Sequence, residues 1–421
     1  MTSASSRPTA TPTRSPLDDL IRSGALHSVY QPLVDLRSGA ALGHEALLRG
    51  PAGTAWASPL TLLEDARAAG RLVELERASL TAALAGATDG PRAGAATLFV
   101  NVEPQTLTQH LEPVLELLAA RPAGLQVVVE ITERALAADP ARILAAADRL
   151  RAAGCAIALD DVGARPASLA FVPLLRPEVV KLDLGLLRTL EDPQTVVVAG
   201  AVRDYAEQSG AEVVAEGVED ADDLTRAIVL GATLGQGWYW GRPAPVPGAV
   251  RHRPERFAAH APVPTQHRTT PFDLAAAVRT VQRAPKRLLV PLSTTLELAA
   301  QHSLVPPMVL SCFQHERYVT PATARRYAGL AQRLPFVAAL GEDMPAEPAP
   351  GVRGWALDAR DPLVEEWTVL VLGAHAASAL VARAAGDADT DGDRPFDMVV
   401  THDRALVTAA ARAVVRRLSA G

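Results

Sequence analysis

A chain of 421 residues is long enough for two domains, or for one barrel-sized domain plus a smaller partner. Its 48% hydrophobic content, with aromatic residues at only 4%, favours helices and parallel strands, and a net charge of -6 without any basic block argues against a nucleic-acid binder. Cys155 and Cys312 lie far apart and outside any CxxC or Cys/His context, as inert thiols in a reducing cytoplasm would.

The first residues, "MTSASSRPTATPTRSP" (1–16), are rich in Ser, Thr and Pro and read as a disordered leader rather than a signal peptide. No run approaches the roughly 18 apolar residues of a membrane span, so the expectation is a soluble, cytoplasmic protein. From residue 17 to about 245, short apolar runs alternate with Ala/Leu/Arg segments of helical period. The runs are "SVYQPLVDL", "ALGHEALL", "TLFVNV", "QVVVEI", "AIALDD", "VVKLDL", "AEVVAEGV" and "LGQGWYW". Eight candidate strands, most of them about 20 to 40 residues apart, fit a (β/α)8 barrel better than an open doubly wound sheet. The first two are separated only by "RSGA", too short for a crossover helix, so they should form a hairpin and one barrel strand should run antiparallel. Residues 246–270 are dense in Pro, Arg and His and read as a linker, with room for a short helix. A second α/β pattern fills 271–421, with apolar runs at "RLLVPLS", "PMVLSCF", "PFVAALG", "TVLVLG" and "FDMVVTHD". The stretch "AGDADTDGDRP" is lettered like a calcium loop but lacks the Glu at its twelfth position, and reads as an acidic surface excursion.

In a barrel, chemistry collects where strands end and βα loops begin. Those ends carry Glu45, Asn101, Glu130, Asp160 with Asp161, Lys181, Glu216 with Glu219, and Gln236. Taken singly, an Asp there can cap the next helix and an Asn can start a turn. Glu45 and Lys181 resist that explanation, because each stands inside an apolar run where an unpaired charge costs several kcal/mol. In "VVKLDL", Lys181 and Asp183 share one face. Carboxylates converging on one cavity would repel until several were neutral, and a pair of hard divalent cations in an all-oxygen shell removes that conflict. Two such ions about 4 Å apart suit in-line attack on a phosphodiester.

The ordered set "EALLR" (Glu45 to Arg49), "FVNV", "EITE" (Glu130 to Glu133), "LDDVG", "VKLD", "AEGVE" and "GQGW" resembles the motifs of the EAL-domain cyclic di-GMP phosphodiesterases. The resemblance implies a modified TIM barrel and hydrolysis of cyclic di-GMP to linear pGpG with two divalent cations, Mg²⁺ or Mn²⁺. It implies that Glu45, Asn101, Glu130 and Asp160 hold one ion and that Asp160 and Asp161 hold the second. Lys181 would bind or activate the attacking water, and Glu216 would be a metal-linked partner or base. Arg49 would meet a phosphate, Gln31 with Pro32 and Leu33 would flank the dinucleotide, and Asp183, Glu219 and Gln236 would support the site. A homodimer is implied as well.

One loop departs from the family. Where the family has FG, a small residue and GYSSL, this chain reads "VGARPASL", so Arg165 and Pro166 replace a flexible pair. Ala167 stands where a serine would bond the anchoring position, Glu133. The loop helps organise the second metal and often the dimer interface, so its change favours an alternative: a catalytically weak receptor that binds cyclic di-GMP and signals to a partner. A scaffold with neither property is the third reading. The stretch from Met308 to Gly341 resembles the DICT sensory domain, which implies regulation by a small-molecule or protein signal. Cys312, His315 and Tyr318 could line a ligand pocket there, or be a buried thiol and surface groups.

Overall fold

Strict alternation of side chains along extended backbone sorts each strand of this chain into an inner and an outer row. The computed structural model describes residues 15–87, 96–163, 166–189, 191–261 and 269–419. Strands β1 (His27–Asp35), β2 (Ala41–Arg49), β3 (Ala96–Asn101), β4 (Leu125–Thr132), β5 (Ala156–Val162), β6 (Val179–Leu182), β7 (Glu212–Ala215) and β8 (Leu234–Gly235) close into a barrel in sequence order. All neighbours are parallel except β1, which runs antiparallel to both β2 and β8. In the β1–β2 hairpin, Leu33 opposes Gly43 and Val34 opposes Ala41, so Leu42 is an extra, bulged residue that resets the phase of β2.

The inner row has two layers. Leu33, Phe99, Val128, Ala158, Val179, Val214 and Leu234 form a dry apolar layer inside the barrel. Gln31, Asn101, Glu130, Asp160, Lys181, Glu216 and Gln236 each stand two residues from one of these, hence one pleat nearer the mouth. The outer row packs on helices that begin cleanly: Asp139, Asp192 and Asp220 cap Pro140–Ala152, Pro193–Ser209 and Ala221–Leu230, the first two with Pro in the first turn.

The expected leader gives way to structure at once, since Ser15 caps a helix at Pro16–Ser23; residues 1–14 lie outside the described residues. Within the Pro-rich segment read as a linker, residues 248–257 close the bottom of the barrel. Phe257, fully buried in the short helix Pro254–Phe257, meets Phe99 edge to face at 5.5 Å. The Gln126 amide donates to the Phe257 carbonyl at 2.5 Å, and Arg256 pairs with Asp35 and Glu212. The Gly248 N–H donates to His44 Nε2 at 3.0 Å, and burial pushes that imidazole down to about 4, keeping it a neutral acceptor.

The second sheet has the order β12-β11-β10-β13-β14-β15-β9, from β9 (Gln282–Pro285), β10 (Met308–His315), β11 (Val337–Glu342), β12 (Arg353–Ala356), β13 (Glu366–Leu372), β14 (Ala377–Ala384) and β15 (Pro395–Thr401). The run "RLLVPLS" is not a strand but part of the helix Lys286–Gln301. Leu289, Ser293, Glu297 and Ala300 are buried at helical spacing, whereas Leu288, Val290 and Leu292 face outward. Two of the four acids of "AGDADTDGDRP" are partnered within the fold: Asp391 meets Lys286 at 2.5 Å and Asp393 meets Arg287 at 3.4 Å. Cys312 has no accessible surface; its thiol donates to the Leu363 carbonyl at 3.2 Å, and burial pushes it up to about 12. Tyr318 is held by Arg317 and Arg394, and His315 accepts from the Arg317 N–H.

The two sheets share a hydrophobic cluster, in which Phe171 of the barrel stacks edge to face on Phe336 at 5.6 Å. At its edge Arg412 is 3% exposed, donating to both oxygens of Asp148 at 2.8 and 2.7 Å and to the Leu174 carbonyl. Among the described residues no helix is long and apolar enough to cross a membrane.

Because Phe257 seals the apolar layer, Phe257→Ala should lower the unfolding free energy by about 3–5 kcal/mol. Denaturant unfolding of the full chain measures this, and a loss below about 1 kcal/mol would show that the ring does not close the barrel.

Candidate active site

Alternation puts polar side chains at the mouth; what makes them a site is that their charges do not balance. The Lys181 ammonium, 1% exposed, lies 2.7 Å from Glu130 Oε1, 2.7 Å from Glu216 Oε1, 3.3 Å from Glu45 Oε2 and 3.4 Å from Asp160 Oδ1. Glu45 is held on both sides: Asn101 Nδ2 donates to Oε1 at 2.8 Å and Gln236 Nε2 to Oε2 at 2.7 Å. Gln236 also reaches Gln31 Oε1 at 3.3 Å, and Gln31 donates to the Gly241 carbonyl at 3.4 Å. Oxygens of Asp160, Asp161 and Glu216 lie within 4.8 Å of one another. Asp161 takes this position with φ at +58°, a left-handed conformation that costs a non-glycine residue energy. Gly163 follows at φ +104°, where a Cβ would collide with Leu186.

Burial raises the Glu45 carboxyl, but Lys181 and the two amide donors outweigh it and hold this group ionised, below the usual carboxylate range. Glu130 goes the other way: burial and the neighbouring Glu45 and Asp160 charges hold it well above that range despite Lys181. Burial likewise pushes Glu216 up to about 8, Lys181 opposing and Asp160 and Glu45 assisting. Asp161 is raised by burial and by Asp160 and Asp183. Burial alone would discharge Lys181, yet Glu130, Glu216, Glu45 and Asp160 keep it firmly protonated. Five carboxylates thus face one ammonium, and the excess negative charge appears as raised proton affinity.

The donor set fits hard divalent cations. All the ligating atoms are oxygens. Neither buried oxygen of Glu130 receives an aligned hydrogen bond, although Oε1 is close to the ammonium, and Asp160 Oδ1 receives none. Asn101, exposed at its end of β3, spends its NH₂ on Glu45, and its amide oxygen accepts no hydrogen bond among the described residues.

The other expected site residues divide. Arg49 lies on the same face of β2 as Glu45, two pleats nearer the mouth, and donates to the Leu48 carbonyl at 2.8 Å. Pro32 stands on the opposite face of β1 from Gln31, across from His44. Leu33 is fully buried in the apolar layer and has no surface to offer a dinucleotide. Asp183 caps the helix Leu184–Arg188, and Glu219 lies 4.0 Å from Arg188. The side chain of Glu133, residues 164–165 and the side chains of Pro166, Ala167 and Ser168 lie outside the described residues. Sequence reasoning passed over Trp238 and Tyr239, both exposed just beyond Gln236, with Arg242 stacked 4.2 Å over the Trp238 ring. Their place in "GQGWYW" was the available signal.

Removing the ammonium leaves the carboxylates uncompensated. Lys181→Met should cost about 3–5 kcal/mol near neutral pH. The penalty should shrink on acidification, because the remaining acids would have folded-state pKa values above their unfolded ones and the native state then takes up protons. Denaturant midpoints of both proteins at about pH 7.5 and about pH 5 test this, and an equal penalty at both would contradict the charge-excess account.

Residues 14–243 match the family model described as EAL domain, and residues 270–385 match the one described as a sensory domain in diguanylate cyclases and two-component systems. The cyclic di-GMP phosphodiesterase RocR of Pseudomonas aeruginosa is 32% identical over 154 residues, covering 35% of this chain and 39% of that protein. The probable cyclic di-GMP phosphodiesterase PdeB of Escherichia coli is 28% identical over 236 residues, covering 54% and 45%. Among solved structures, the c-di-GMP complex of the PaMucR phosphodiesterase is 26% identical, with 54% of this chain and 96% of that chain covered and a TM-score of 0.49. The chain spans under half the length of these curated relatives. With the model matched across the whole barrel and its mouth, the chain belongs to the EAL domain family.

Proposed function

We propose that the barrel hydrolyses cyclic di-GMP to linear pGpG with the help of two divalent cations, Mg²⁺ or Mn²⁺, in the cytoplasm. The observation that carries this is the surplus of oxygen ligands around Lys181: five carboxylates and one amide converge on a single mouth, from the buried Glu45 and Glu130 out to the exposed Asn101 and Asp161. Relatives named as cyclic di-GMP phosphodiesterases support the choice of substrate.

On this reading Glu45, Asn101, Glu130 and Asp160 would hold one ion and Asp160 and Asp161 the other, with Glu216 beside them. When bound, such ions neutralise charge on a phosphodiester and make water more acidic. The chain's own residues do the rest. Lys181 fixes Glu130 and Glu216 and supplies positive charge beneath the reacting phosphate. Glu216, held by Lys181 at 2.7 Å beside the proposed ions, would be the metal-linked partner or the base that takes a proton from the attacking water. Arg49, higher on the same face as Glu45, would meet a phosphate, and Gln31 and Gln236 hold the Glu45 side of the mouth. The domain after residue 270 would regulate the barrel in response to a signal. A homodimer is part of this reading.

One observation favours the second reading, a receptor that binds cyclic di-GMP without efficient cleavage: "VGARPASL" departs from the family pattern. Incubating the full chain with cyclic di-GMP and Mn²⁺, then separating nucleotides, decides between them. The expected outcome is pGpG, abolished by excess chelator and reduced at least about 100-fold in Glu45→Ala. Intact dinucleotide retained by the protein would support the receptor, and turnover in chelator would reject the metal-dependent mechanism.

A further inference from the structure

A cavity of about 690 Å³ lies where the second domain docks on the barrel, away from the mouth. Its walls come from the barrel segment 169–180, the helix Pro193–Ser209 and, across the seam, the helix Arg404–Val415. The volume is in the range of small-molecule sites, and most of the lining is apolar, as at Val172, Val180, Val202 and Ala409.

The charges along it are one-sided. Four basic residues line the cavity and no Asp or Glu does. Two of the four are already matched: Arg412 by Asp148 at 2.7 Å, and His260 by Glu178 at 3.4 Å. The Arg176 guanidinium makes no hydrogen bond or ion pair among the described residues, and that of Arg404 donates only to the Gly373 carbonyl at 2.8 Å. Asp204, an acid near Arg404, is instead engaged by Gln208 at 2.8 Å and His375 at 3.5 Å. An apolar chamber edged by two guanidinium groups that no carboxylate contacts directly among the described residues is complementary to an apolar body carrying an anion.

We propose that this cavity binds an amphipathic organic anion, a carboxylate on an aliphatic or aromatic body, whose head group pairs with Arg176 and Arg404. One wall reaches the active site directly: Val180 faces the cavity and Lys181, next on β6, faces the barrel interior. Arg404 comes from the second domain and Arg176 from the barrel, so an occupant bridges the two and favours their docked arrangement. The effect on turnover rests on the hydrolysis reading; the binding site does not.

Calorimetric titration of the full chain with octanoate, octan-1-ol and octyltrimethylammonium tests the site. Octanoate should bind saturably at one site per chain, the alcohol at least about tenfold more weakly, and the cation not at all. Arg404→Met, which removes the charge, and Ala409→Trp, which fills the chamber, should each weaken octanoate by about tenfold or more while thermal melting confirms folding. No saturable octanoate binding, equal affinity for the alcohol, or unchanged affinity in folded Ala409→Trp would overturn the proposal. Cyclic di-GMP turnover with and without octanoate reads the coupling: an unchanged rate rejects it, whereas no turnover at all rejects the hydrolysis reading and leaves the calorimetric result standing.

Discussion

The Lys181 ammonium is the interaction on which the mouth of the barrel depends. A buried lysine alone would lose its proton, and five carboxylates alone would repel; each is tolerated because of the other. The balance is incomplete, since one positive charge touches four of the acids and leaves Asp161 and Glu130 Oε2 poorly served. That deficit ties the electrostatics of the fold to the proposed chemistry, in which cations would supply the missing charge.

The rest of the barrel holds this arrangement in place. An apolar layer sits one pleat below the charged one and closes it off from the bottom of the barrel. Phe257 seals the layer from beneath, and the bulge at Leu42 brings Glu45 into phase with the polar residues of the other strands. On the outer face, the second domain contributes Phe336 to a shared apolar cluster and Arg412 to the Leu174 carbonyl, behind the strands that carry Asp160 and Lys181.

Much of this could be read in the sequence where a residue contradicts its surroundings. Glu45 in "ALGHEALL" and Lys181 in "VVKLDL" are charges in apolar runs, and that contradiction located both the strands and the site. Local alternation was a poorer guide where phase or period was at issue. Leu33 stands only two residues from Gln31 in sequence, but its side chain belongs one layer deeper, and "RLLVPLS" has strand-like letters while its buried positions follow a helix. The strands β9, β12 and β14 were passed over because short or Ala-rich runs carry little periodic signal. Nothing in the linear order announced that a Pro-rich segment would close the barrel, or that residues near 176 and 404 would share a cavity. Such juxtapositions arise only from tertiary packing.

The central claim is that this mouth is built for two divalent cations. Equilibrium dialysis of the full chain against Mn²⁺, with bound metal counted by mass spectrometry, tests it without reference to any nucleotide. The account predicts two ions per chain, with one lost in Asp161→Asn and both weakened in Glu45→Gln. No Mn²⁺ bound at millimolar metal, or the same two ions retained at equal affinity in both variants, would contradict it.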